Sequence, residues 1–280
     1  MTTRTAVVTG SSSGIGHATA EHLASRGWRV WGGVRADADL QRIAKTRSFR
    51  PLRMDVTKDW QIAEAFAEVK REIWGTGLDL LVVNAGVVVA GPLEFVTPKQ
   101  WREQFDVNVV GVASTIQAAL PMMRYANDPR IIVVGSINSR VGVPLLGPYA
   151  ASKHALVGLL SALRRELPSE GPKITLLEPG AVDTPLWNKV RAASEQLNND
   201  GPKEEQSPYA DLINAARGRL AKTTRRGISP CKVAEIIERC VNRTHPPKRR
   251  LVGRDAWLAA AAEKLFGGRV LDSLFRKIRA

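Results

Sequence analysis

The chain has 280 residues, 44% hydrophobic and 24% charged, and no apolar run approaches the ~20 residues of a membrane-spanning helix, which excludes a disordered chain, a coiled coil and an integral membrane protein. The 41 basic and 27 acidic residues give a net charge of +14. Residues 243–280 hold ten Lys/Arg and three Asp/Glu, hence +7, so half of the excess sits in a tail, and no base-reading motif accompanies it to suggest a nucleic-acid partner.

Met1 to Arg4 lead straight into an apolar run, leaving no room for a secretory signal, and Cys231 and Cys240 offer neither a disulfide framework nor a zinc cluster. A reducing, cytoplasmic setting and no metal are expected. Short β-branched runs predict strands over 5–9, 29–34, 51–56, 78–84, 130–135 and 173–178. They alternate with helical-period segments over 14–26, 60–74, 98–124 and 149–168. That alternation, without an internal repeat, predicts an α/β, Rossmann-like, doubly wound parallel sheet of about seven strands in a single domain, residues 1–253. The polar stretch 185–228 reads as a substrate lid with short helices. Ser229 and Pro230 then supply an N-cap and first-turn proline for a helix through Cys240, followed by a last strand at 250–253 and a basic amphipathic tail, 254–280.

The first predicted strand ends at Thr9, and Gly10, Ser12, Ser13, Gly14, Ile15 and Gly16 form a G-x-x-x-G-x-G loop before a helix. Glycines let the backbone turn tightly against a pyrophosphate, which then sits on the helix N-terminus. At the end of the second strand Arg35 occupies the place where an NAD enzyme usually offers a carboxylate, which predicts NADP(H) in preference to NAD(H). The alternative is that Arg35 merely solvates a loop and that Asp37 or Asp39 takes the ribose hydroxyl. Asp55 and Val56 after the third strand, and Asn84, Ala85 and Gly86 after the fourth, lie where such sheets bind ligands; Asp55 could equally cap the next helix.

Tyr149 and Lys153 stand four apart at the head of a helix, so phenol and ammonium share one face. A fixed cation within a few ångströms is expected to lower the tyrosine pKa toward a working range for moving an alcohol proton as hydride transfers. Ser136, thirteen positions earlier, could hold the same substrate oxygen. Singly, such residues read as a surface pair and a turn serine; together, behind a phosphate loop, they read as a site.

In that order, Thr9 with the glycine loop, Asn84-Ala-Gly86, Asn108, Ser136, Tyr149-x-x-x-Lys153 and Pro179-Gly180 resemble the short-chain dehydrogenase/reductase family over about residues 5–185. The resemblance implies Tyr149 as general acid/base, Ser136 as oxyanion partner, Lys153 on the nicotinamide ribose and Asn108 holding a proton-relay water. It also implies that Pro179, Gly180, Val182 and Thr184 clasp the nicotinamide and pyrophosphate, in a homodimer or homotetramer. Two departures stand out: Ser13 occupies the place of a second basic residue common in NADP members, and Asn108 could simply be a core hydrogen-bonder.

A shorter similarity, from Ile228 to Val233 and from Pro246 to Trp257, points to the 17β-hydroxysteroid and retinol dehydrogenase-like branch. The expected reaction is interconversion of a secondary alcohol and a ketone on a small apolar, steroid- or retinoid-like substrate, with Val143 and Trp187 beside Ser136 and Tyr149 in the substrate cleft. A 3-oxoacyl-thioester reductase and a non-catalytic dinucleotide sensor are the alternatives. The tail, with Trp257, Leu258 and Leu265 among basic residues, either packs on the domain or makes peripheral contact with a membrane.

Overall fold

The computed structural model describes residues 3–46, 48–187, 208–225 and 227–276. Seven parallel strands form one sheet: β1 (Thr5–Thr9), β2 (Arg29–Val34), β3 (Arg50–Arg53), β4 (Leu80–Val83), β5 (Arg130–Val134), β6 (Lys173–Pro179) and β7 (Arg249–Val252). Their spatial order is β3-β2-β1-β4-β5-β6-β7. The chain therefore builds outward from β1, returns, and builds outward from β4 in the other direction. The crevice between β1 and β4, at the carboxyl ends, is the topological switch point where such sheets take ligands.

Helices cover both faces, so the strands are apolar on both sides and do not alternate with polar positions. Val7, Leu81, Val83, Ile131, Val133 and Leu176 pack on the side of α3 (Asp59–Glu72), α5 (Gly111–Met123) and α6 (Gly147–Glu166). Ala6, Val8, Leu80, Val82, Ile132 and Leu177 face α1 (Gly14–Ser25) and α8 (Pro230–Val241). Ser229 caps α8 as its sequence predicts, accepting from Lys232 N at 3.2 Å, with Pro230 in the first turn.

Two elements differ from expectation. A helix not anticipated, α2 (Asp37–Thr46), follows β2; it buries only Ile43, too little to give an apolar period. The helix expected over 98–124 is three pieces: α4 (Pro98–Phe105), a π-turn (Asp106–Val110) and α5. Gly111 N reaches back five residues to Asp106 O, and periodicity alone does not reveal such a surplus residue. Towards the C-terminus, α7 (Ala210–Arg225) lies within the expected lid, whose segment 188–207 falls outside the described residues, and α9 (Arg254–Arg276) follows β7 directly.

Candidate active site

The glycine loop is shaped by what approaches it. Gly10 and Gly14 have φ of +67° and +58°, a left-handed backbone that favours glycine. A Cβ on Gly10 would lie 2.8 Å from Ala85 Cα, and one on Gly16 would overlap the Gly10 carbonyl. Thr9 Oγ1 accepts from Asn84 N and Ala85 N at 2.9 and 3.0 Å, while Asn84 Nδ2 donates to Thr9 O and Gly10 O. The ends of β1 and β4 are thus sewn together beneath the loop. Ser13, the N-cap of α1, makes no side-chain cap bond, and Ser12, Gly14 and Ile15 are half-buried around it. Backbone N–H groups at the head of α1 remain to meet an anion, so the cradle suits a pyrophosphate.

Just after β2, Arg35 is exposed and makes no ion pair among the described residues. The carboxylates that could have replaced it are engaged: Asp37 pairs with Arg53, and Asp39 with Arg42 at 2.9 Å. Arg42 also donates to Ser12 O at 2.7 Å, tying α2 to the glycine loop. Sequence reasoning missed Arg42 because α2 itself was not legible. Asp55 lies two residues beyond β3 and accepts on Oδ1 from Thr57 N and Oγ1, so it does form a turn, with the second oxygen left over. Val56 is buried against Gly111, where an added Cβ would come within 2.7 Å of Val56 O.

Ser136, Tyr149, Lys153 and Asn108 are all buried. Ser136 follows β5 and caps a short 3-10 turn, Ile137–Ser139; its Oγ accepts from Asn138 N at 3.1 Å and donates to Asn138 Oδ1 at 3.2 Å. Tyr149 and Lys153 lie in the first two turns of α6, and Lys153 Nζ donates to Val134 O at 3.0 Å. An ammonium has three protons, so this bond fixes the side chain and leaves donors for a ribose. Asn108, inside the π-turn, has its amide spent: Oδ1 accepts from Val87 N at 2.9 Å, and Nδ2 donates to Val87 O at 3.0 Å and to Ser152 Oγ at 3.2 Å. Its side chain braces the extended segment after Gly86. A Cβ on Gly86 would lie at ordinary contact distance, 3.4 Å from Asn108 Oδ1 and 3.9 Å from Lys153 Nζ, so Gly86 forms the floor between them.

Burial pushes the Tyr149 phenol up to about 12, against a smaller downward pull from Ser136, and it pulls the Lys153 ammonium down to about 8. The expectation that Lys153 lowers the tyrosine is therefore corrected. Its Nζ lies 5.6 Å from the ring centroid and bonds to Val134, and desolvation outweighs the downward pull of the hydrogen bond with Ser136. Behind the site, fully buried Glu178 accepts from Arg140 Nη2 at 2.7 Å and from Arg249 Nε at 3.1 Å, which ties the turn after Ser136 to β6 and β7. Gln104, also missed, accepts from Val89 N at 2.7 Å and donates to Val87 O at 2.9 Å. Val143 and Trp187 are half-buried, and the run from Pro179 through Gly180 and Val182 leaves β6 to bring Thr184 against Gly14.

A profile described as short chain dehydrogenase matches residues 4–195. The chain belongs to the short-chain dehydrogenase family. This short-chain dehydrogenase is 30% identical over 280 residues to an NADPH-dependent 3-dehydrocapnine reductase of Ornithobacterium rhinotracheale, covering 98% of this chain and 96% of the relative. It is 34% identical over 247 residues to a 3-ketodihydrosphingosine reductase of Bacteroides thetaiotaomicron, covering 88% and 87%. In structure it matches a short-chain dehydrogenase from Streptomyces avermitilis with a TM-score of 0.79 at 26% identity, over 99% of this chain and 98% of the other. It is an NAD(P)-dependent oxidoreductase acting between alcohol and ketone.

Proposed function

We propose that this short-chain dehydrogenase uses NADPH to reduce a ketone on an apolar substrate to a secondary alcohol. The observation that carries the reading is the burial together of Ser136, after β5, and of Tyr149 and Lys153, in the first two turns of α6. A bound NADPH supplies hydride to the carbonyl carbon. The Ser136 hydroxyl turns from Asn138 to the carbonyl oxygen, and Tyr149 Oη gives that oxygen its proton as the C=O π electrons become a lone pair on it. Lys153, anchored on Val134 O, offers its remaining protons to the nicotinamide ribose. Asn108 acts one step back, fixing Val87 and the Gly86 floor.

Within this reading the glycine loop from Gly10 to Gly16 carries the pyrophosphate, Asp55, Val56 and Asn84 to Gly86 enclose the adenosine, and Val182 and Thr184 meet the nicotinamide. Arg35 pairs with the 2′-phosphate; engagement of Asp37 and Asp39 by arginines, and the NADPH-dependent relative, both support this choice, with NADH as the weaker donor. Val143 and Trp187 line the substrate side. The test is steady-state turnover with NADPH and NADH. The substrates of the two relatives, 3-ketodihydrosphingosine and 3-dehydrocapnine, head the panel, followed by steroid, retinoid and 3-oxoacyl-thioester carbonyls. NADPH-dependent reduction of an apolar ketone is expected; tight NADPH binding with no turnover of any carbonyl would leave a dinucleotide sensor.

A second reading concerns α9, on which three large apolar side chains, Trp257, Leu258 and Leu265, are exposed. Ala256 is fully buried, whereas Trp257, Leu258 and Leu265 are 57%, 72% and 73% exposed, beside exposed Arg254 and Lys264. A helix packed with a solvated basic face would show the opposite pattern. The exposed arc of Trp and Leu flanked by cations fits an anionic membrane surface, where each cation contributes ~1 kcal/mol. A second copy of so basic a chain, +14 in all, would meet repulsion there. Among the described residues no helix is long and apolar enough to cross a membrane.

A further inference from the structure

Gly180 and Asp255, 75 positions apart, are fitted to each other. Asp255 lies in the first turn of α9, and its Oδ2 accepts from Ala181 N at 2.6 Å. A Cβ on Gly180 would overlap that carboxylate, and one on Gly253 would come 2.5 Å from Oδ1. Gly253 has φ +100° and is a glycine for its backbone as well, whereas Gly180 lies outside the left-handed region and needs only the room. Position 180 is thus kept free of a side chain to house a carboxylate from the far end of the chain.

What the carboxylate holds is the run after β6. Gly180 N donates to Val252 O at 2.9 Å, Ile228 N to Ala181 O at 3.1 Å, and Asp183 N to Ile228 O at 3.1 Å; Val182 bridges Ile228. The far end of this run reaches the phosphate loop, since a Cβ on Gly14 would lie 3.1 Å from Thr184 Cγ2. Ala181 N–H, between these tethers, is the donor that Asp255 takes up. A charged acceptor makes the bond stronger than a neutral one, and the head of α9 favours the negative charge.

We propose that Asp255 is a positioning residue for the nicotinamide half of the cofactor. By gripping Ala181 and lodging against Gly180, it sets the path of residues 179–184 so that Val182 and Thr184 meet the nicotinamide and pyrophosphate. The proposal rests on the assignment of that run to the nicotinamide in the reading above.

The experiment compares the full-length enzyme with Asp255→Ala, Asp255→Asn, Gly180→Ala and the double variant Gly180→Ala/Asp255→Ala. Two ligands are used: NADPH, and adenosine 2′,5′-bisphosphate, which fills only the adenosine half. Asp255→Ala is expected to raise the KM for NADPH roughly tenfold while bisphosphate affinity stays within about twofold, and Asp255→Asn, which keeps an oxygen for Ala181, to recover most of the loss. Gly180→Ala alone should be at least as damaging, and removing the carboxylate in the double variant should bring it back to the level of Asp255→Ala. An unchanged NADPH KM in Asp255→Ala overturns the proposal. So does equal weakening of NADPH and bisphosphate with a lowered Tm, the mark of a structural role alone. A wild type that binds NADPH no more tightly than the bisphosphate would instead strike the assignment of residues 179–184 to the nicotinamide.

Discussion

At one end of the candidate site the ionisable groups are buried: Tyr149 and Lys153 lie in the first two turns of α6, Lys153 against the end of β5, each displaced from its ordinary pKa by loss of water. At the other end Arg35, Asp37, Asp39, Arg42 and Arg53 stand at the surface and, apart from Arg35, neutralise one another in pairs. The first arrangement uses desolvation to fix protonation states, and a change there alters chemistry. The second uses opposed charges in water, which are weak singly and screened by salt, so on the proposed reading a change there alters which dinucleotide is preferred.

The largest break in that contrast comes from Tyr149→Phe, which keeps the buried ring and removes the transferable proton. Turnover should fall at least ~10²-fold, while tryptophan quenching by NADPH still reports binding. A variant with near-wild-type kcat would remove Tyr149 from the role of acid. Next, Arg35→Asp should weaken NADPH by ~10- to 100-fold and leave NADH little changed, as loss of a charge-assisted bond and gain of repulsion require. If the wild type binds both dinucleotides equally, the surface end does not choose the cofactor.

The buried end also predicts a pH profile. Lys153, with a pKa of about 8, is charged below that pH and loses its proton above it, while Tyr149, at about 12, remains an acid throughout. Ketone reduction should therefore be level near pH 7 and fall roughly tenfold by pH 9, with no separate limb from the phenol. A rate constant flat to pH 10 would show that Lys153 keeps its charge. The smallest effect on catalysis belongs to α9. Trp257→Ser combined with Leu258→Ser and Leu265→Ser should leave turnover of a soluble ketone unchanged and abolish salt-reversible sedimentation with vesicles containing phosphatidylglycerol. Wild-type protein that ignores such vesicles, or a wild-type dimer that this variant dissolves, would assign the exposed face to another partner.

Most of the frame was legible because it is local. β1 and β2 span the residues that their β-branched runs indicate, and the glycine loop, Ser136, Tyr149 and Lys153 carry their spacing in plain view. What escaped depends on contacts distant in sequence. Helix α2 buries one side chain and is tied down by ion pairs; Glu178 meets Arg140 and Arg249 only once β5, β6 and β7 lie side by side. The direction of the Tyr149 shift escaped for the same reason. The i, i+4 spacing places an ammonium nearby, but what moves the phenol is the water removed by packing, which no spacing records.

The π-turn at Asp106–Val110 amounts to one residue inserted between α4 and α5. A single-residue deletion there would restore a regular helix and rotate α4 by ~100° about its axis relative to α5. Every side chain assigned to the chemistry could remain in the gene, yet Gln104 would turn away from Val87 and Val89, while Asn108 kept its identity in a changed register. At this point of the fold heredity must preserve a count as well as a composition, and reading-frame-neutral deletions should be tolerated less well than substitutions of the residues themselves.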